Sequence, residues 1–188
     1  MYQRANKTCS HNLKWHLALT FSFVILTGCA TLRPTNISNV PTINVANVKV
    51  PPLKNIPQKT VSVNILDNRD SQYRENTEAL QRELRRAVTL SLKSQGIAVN
   101  STSTNVLLMS VQDQQVGEYK DGCVKMNAML AIPQVANLYS DATSCFEMKS
   151  PVSDVSMGSD INQAYEMALS TVFQNLSTNL LKLTAVKK

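Results

Sequence analysis

Histidine is almost missing from this chain. Of 188 residues only two are His, His11 and His16, and the one tryptophan, Trp15, stands between them. No imidazole occurs after residue 16, so a Ser-His or Cys-His nucleophilic pair has no base in the rest of the chain. Zinc chemistry lacks its usual nitrogen ligands there, and Cys123 and Cys145 alone cannot fill four positions. Glycine is also scarce. Beyond Gly28 there are only Gly96, Gly117, Gly122 and Gly158, which excludes a glycine-rich phosphate loop. Gly and Pro together number 12, too few for a collagen-like or wholly disordered chain. Acid is absent before Asp67. The formal charge of +6 is therefore uneven. Without residues 1–28, 16 basic and 13 acidic side chains remain, and so mild an excess gives no footprint for nucleic acid. The length suits one ordinary domain with a tail.

What is present begins with an address. Residues 1–16 are polar and basic, with Arg4, Lys7 and Lys14, and residues 17–26 (LALTFSFVIL) are apolar. Ten apolar residues are too few to span a bilayer, which takes about 20 as a helix. Leu26-Thr27-Gly28-Cys29 follows at once. This resembles the bacterial lipobox, with cleavage between Gly28 and Cys29 and lipidation of the Cys29 thiol. Stable anchoring takes two or more acyl chains, and lipoproteins of this kind carry three by resemblance. Ala30 stands where enteric-type lipoproteins retained in the inner membrane carry Asp, so the resemblance implies transfer to the outer membrane. Removal of residues 1–28 takes away both histidines, Trp15 and Cys9.

Residues 29–59 hold five of the seven prolines, Pro34, Pro41, Pro51, Pro52 and Pro57. They are expected to form a tether, although 43–50 (INVANVKV) alternates enough to dock as an edge strand. The domain is expected over 60–183, with a basic tail at 184–188. Residues 60–67 alternate as a strand with Val61, Val63 and Ile65 on one face. A helix is predicted over 77–95 from Leu80, Leu84, Val88 and Leu92. Asn76 or Thr77 would cap it, and Gly96 would follow in the left-handed conformation. Strands are predicted over 106–116 and 123–132, with a turn at 117–122, and a fourth from about Tyr139 or Cys145 to Met157. A last helix over 160–183 carries Ile161, Tyr165, Ala168, Leu169, Val172, Leu176, Leu180 and Leu183, with Asp160 and Gln163 as a capping box. The order β-α-β-β-β-α gives an α+β fold. Its expected form is an antiparallel sheet of about four strands with two helices on one face.

Few residues read as chemistry. Asp67 and Asp70 flank Arg69 at a strand end, either as a binding or catalytic cluster or as a hydrogen-bonded turn into the helix. Arg82, Arg85, Arg86 and Lys93 share a face of the first helix and are the candidate binding residues for a polyanion. The bland alternative is a solvated face, tempered by Glu78 and Glu83. No catalytic residue, metal site or cofactor is assigned. Cys123 and Cys145 are candidates for a disulfide in an oxidising compartment. A turn at 133–135 sets them opposite each other, whereas a turn at 140–143 keeps them apart.

The assembled pattern resembles the YajG-type outer-membrane lipoproteins. The resemblance rests on Leu26–Cys29, the Pro-containing lead, 61–70 (VSVNILDNRD) with its Asp-x-Arg, the helix ending Gln95-Gly96-Ile97, 106–111, and the amphipathic last helix. Cys123, Cys145 and Pro133 depart from it, and it hints at the later turn that would separate the two cysteines. The resemblance carries over no settled activity and no site residues. It is also broadly similar to accessory lipoproteins of envelope transporters and of peptidoglycan synthases. The expectation is a non-enzymatic binding or scaffold protein, held to the periplasmic side of the outer membrane through lipid on Cys29, with an envelope protein as partner. An accessory subunit of a transport or secretion machine is the alternative, and a cell-wall or lipid hydrolase a third reading.

Overall fold

The structure is a computed structural model and describes residues 40–70, 74, 76–117, 120–146 and 154–186. Gly28, Cys29 and Ala30 lie outside the described residues. So do 31–39, the first part of the expected tether.

Five strands and two long helices follow one another as β1 (Thr60–Asp67), α1 (Thr77–Ser94), β2 (Ala98–Val99), β3 (Val106–Gly117), β4 (Lys120–Ile132), β5 (Ala136–Phe146) and α2 (Asp154–Val186). The fold is α+β, with sheet order β2-β1-β3-β4-β5. The sheet is mixed, not antiparallel throughout. β1 runs parallel to both β2 and β3, while β3, β4 and β5 form an antiparallel meander. The physical reason is the crossover. A helix after β1 carries the chain back to the end from which β1 started, so the next neighbouring strands run the same way. Residues 100–105 then pass across the start of β1. Asn105 fastens this crossing, its Nδ2 donating to Pro57 O and Thr60 O at 2.9 Å each.

Alternation decides the two faces of the sheet. Val61, Val63 and Ile65 of β1, Leu107, Met109 and Val111 of β3, and the even-numbered residues of β4 and β5 turn inward. Both helices lie on that face. α1 covers β1 and β2, and α2 covers β4 and β5. Leu80, Leu84, Val88 and Leu92 are buried along one stripe of α1, and Ile161, Tyr165, Ala168, Leu169, Val172, Leu176 and Leu180 along α2. Gly96 adopts φ +72 beyond the end of α1, a conformation that costs a residue with a Cβ.

Three local expectations are corrected. Asn76 is itself left-handed and makes no side-chain cap. The hydroxyl of Thr77 instead donates to Asp67 Oδ2 and Arg74 O. α2 begins at Asp154, so Asp160 sits inside the helix and not at its start. The fourth strand of the prediction ends at Phe146 instead of near Met157.

The edges of the sheet are closed by helix side chains. On β5, Asn175 Nδ2 donates to Asp141 O and Asn179 Nδ2 to Tyr139 O, at 3.1 and 3.0 Å. At the other edge β2 ends after two residues, and Arg85 Nη1 donates to Val63 O at 2.8 Å. An edge strand blunted in this way is a poor template for pairing with another chain.

The segment expected as a free tether is docked from Val40 onward. Ile43, Val48, Leu53 and Ile56 are buried in the core. Their neighbours bond to both helices, so the segment lies as a strap in the seam between α1 and α2. Pro explains this use, because a chain without helix or sheet partners must be pre-stiffened and must find its hydrogen bonds in side chains.

Candidate functional site

Two polar constellations stand out. The first is closed and centres on the end of β1. Asp67 accepts from Arg69 Nε and Nη2, both at 2.8 Å, and from the Thr77 hydroxyl at 2.8 Å. Both side chains of the ion pair are fully buried. Arg69 Nη1 donates to Gln114 Oε1 at 2.9 Å, and the Tyr165 hydroxyl donates to the same oxygen at 2.8 Å. Arg74 Nε donates to the carbonyl of Arg69. One cluster thus ties β1, the start of α1, β3 and α2 together.

Gln114 reaches this cluster through an irregularity. The β3–β4 register shifts between Val111 and Asp113, so one residue of β3 is extra. Inward positions are odd before that bulge and even after it, which turns Gln114 to the helix face. Bulges commonly re-aim a side chain in this way.

The electrostatics follow from the partners. Burial alone would raise the Asp67 carboxyl, but the hydrogen bonds from Arg69 and Thr77 outweigh it and hold the group below the ordinary carboxylate value. For Arg69, burial works against the charge and the Asp67 bond overcomes it, so the guanidinium stays charged. Burial drives the Tyr165 phenol well above its usual range, with Asp67 adding to the effect and Arg69 opposing it. Asp67 is walled in by donors and offers no lone pair to a substrate. Of the two readings of the Asp67–Arg69–Asp70 run, the geometry of Asp67 is that of the hydrogen-bonded turn.

The second constellation is open. A groove of about 470 Å³ runs between the strap and α2, lined by Thr42, Asn44, Asn47, Asn162, Glu166 and Met167, among others. Glu166 anchors its floor, accepting from Asn44 N and Asn47 Nδ2 at 2.8 Å each. Asn162 Oδ1 accepts from Thr42 N at 2.7 Å. Across the seam, Glu83 accepts from Ile43 N, and Arg86 Nη2 donates to Ile43 O and to Glu83. The Arg86 bond is the foremost cause that holds Glu83 below its ordinary value. Such a groove offers neutral amide donors and acceptors instead of an acid–base pair. Among the described residues no group of three or more His, Cys, Asp or Glu is placed to hold a metal ion.

The candidate polyanion residues separate by role. Arg85 closes the sheet edge and Arg86 clamps the strap, while Arg82 and Lys93 are exposed. Cys123 and Cys145 are opposite each other in the β4–β5 register, because the chain turns at 133–135, and they form a disulfide with Cα atoms 4.1 Å apart. The bond lies on the sheet face away from the helices. Sequence reasoning missed Gln114, Tyr165's hydroxyl and Glu166. Only Glu166 left a trace, as a lone carboxylate beside the apolar stripe of α2.

The geometry defines a two-layer α+β domain with a strap across its helices, and no helix of the described residues is long and apolar enough to cross a membrane. No protein-family model and no curated protein matches the chain. Similar solved structures include a Xanthomonas campestris protein described as DUF330, at 13% identity and a TM-score of 0.49, covering 79% of this chain and 97% of its own. A PelC variant from Paraburkholderia phytofirmans, described as a dodecamer, has 18% identity and a TM-score of 0.38 over 64% of this chain and 92% of its own. A minor lipoprotein from Acinetobacter baumannii has 10% identity and a TM-score of 0.35 over 71% and 96%. Likenesses this distant transfer no residue role.

Proposed function

We propose that this chain is a lipid-anchored lipoprotein of the bacterial envelope, acting as a non-enzymatic binding or scaffold protein on the periplasmic side of the outer membrane. The observation that carries the reading is Leu26-Thr27-Gly28-Cys29, set directly after a basic head and ten apolar residues. Ala30 supports the outer membrane as destination. The Cys123–Cys145 bond supports an oxidising compartment. A walled-in Asp67 and an amide-lined groove favour binding over catalysis. Within this reading the chain is of the YajG type, on the strength of its Asp67-x-Arg69 and its helix ending Gln95-Gly96-Ile97, and it meets an envelope protein.

Labelling with radioactive palmitate tests the anchor. The wild-type protein is expected to take up label and to fractionate with outer membranes. Cys29→Ser is expected to stay unlabelled and at precursor mass, because serine offers no thiol. Label in the mutant, or none in the wild type, refutes the reading. Crosslinking in cells with the lipidated protein then identifies the partner.

A further inference from the structure

We infer that the strap-and-helix side of the domain lies against an anionic lipid surface, and that the outer face of the sheet points away from it. The inference rests on the lipid anchor proposed above and adds which face the membrane meets. Two observations carry it.

The first is charge. Lys49 and Lys54 are exposed on the strap, and Arg82 and Lys93 on α1. Helical spacing puts Arg82, Arg86 and Lys93 on the side of α1 opposite its buried stripe, so they and the strap lysines share one surface. Sequence alone scattered these residues over 45 positions, and docking of the strap assembles them. Acid is thin there. Glu78 stands at one end, Glu83 is paired with Arg86, and Glu166 is buried under the strap. The far side of the molecule is different. There Lys125 shares the outer sheet face with Asp113 and Asp141.

Apolar exposure does not separate the faces. Leu90, Met167 and Leu181, on the outward side of α1 or α2, are 43%, 46% and 50% exposed, and Leu66 and Tyr139, on the outer sheet face, are 42% and 66% exposed.

The second is where the chain enters. Val40 leads directly into Thr42, Ile43 and Asn44, which are held by Asn162, Glu83 and Glu166 in the seam between the helices. Ten residues lie between Cys29 and Val40, a reach of at most about 40 Å. The stretch of chain that carries Cys29 therefore joins the domain on its strap side.

The test is lysine acylation footprinting of the lipidated protein, in vesicles of phosphatidylcholine alone and with 30% phosphatidylglycerol. Lys49, Lys54 and Lys93 are expected to react about fivefold or more slowly in the anionic vesicles, with Lys125 unchanged, and 0.5 M salt is expected to remove the difference. Lys49→Glu with Lys54→Glu is expected to abolish protection at Lys93, whereas Lys125→Glu leaves it intact. Equal rates at all four lysines, or protection of Lys125 instead, overturn the inference. Flotation reads the anchor separately. A protein that does not float with the vesicles argues against lipidation, and its footprint with added anionic vesicles still reads the face.

Discussion

Replacing Asp67 by alanine removes a carboxylate that the Arg69 side chain grips with two nitrogens. The wild-type pair makes two 2.8 Å bonds at zero exposure, and Thr77 supplies a third. The mutant keeps a buried guanidinium without the two bonds and the negative charge of Asp67. Breaking a buried pair in this way costs about 3–5 kcal/mol. A domain with a total stability of about 5–15 kcal/mol loses about a fifth of it or more. Urea unfolding at pH 7, without reductant, measures it. Arg69→Met is expected to cost less, because Asp67 retains Thr77. The double mutant is expected to be at least 1 kcal/mol more stable than the sum of the two losses, since the partners share one interaction. The pH dependence has a definite sign. Asp67 is depressed when folded, so its contribution is whole above the unfolded carboxylate pKa of about 3.9 and is lost as pH falls through the folded value. Asp67→Ala should therefore flatten the acid limb of stability against pH. A loss below about 1 kcal/mol at pH 7, or additive single losses, would refute the view that this pair ties the elements together.

Leu84→Ala and Leu176→Ala should each destabilise by about 2–5 kcal/mol in the same assay, as buried large-to-small changes do; a loss under about 0.5 kcal/mol would mean that helix face is not buried. Ile43→Ala should cost a similar amount, whereas a free tether would make it silent. Alkylation of the unreduced protein should leave Cys123 and Cys145 unlabelled, and Cys123→Ser with Cys145→Ser should cost about 3 kcal/mol, because the bond closes a loop across a separation of 22 residues.

The helices and β1 were legible because their apolar residues repeat with the period of the element. Leu80, Leu84, Val88 and Leu92 declare a stripe, and Val61, Val63 and Ile65 declare a face. The sequence does not declare strand direction with equal force, since alternation is the same read either way. The parallel pairing of β1 and β3 follows only when α1 is treated as a crossover. The strap was hidden for another reason. Ile43, Val48, Leu53 and Ile56 keep no period, because an extended chain in a seam buries residues wherever the groove is deep. Gln114 was hidden by the bulge, which breaks the parity on which any face assignment depends. The Asp67–Arg69 run pointed to the right place without revealing its depth, as the lid over it comes from Gln114 and Tyr165, 45 and more residues downstream.

The docking of the strap also orders events in time. Its partners Asn162, Glu166, Ser170 and Ser177 lie 119 to 125 residues further along the chain. Glu83 and Arg86 of α1 hold Ile43 from about 40 residues away, but the seat of the strap is complete only when the last helix has arrived. Contacts that distant close late, after the loop entropy between them has been overcome. Under the export proposed above, a chain crossing the inner membrane N-terminus first would carry an unfinished seam. Any break that removes α2, a premature stop or a proteolytic cut before 154, would expose Ile43, Val48, Leu53 and Ile56 together, and an intact strap becomes a mark that α2 has been made and docked.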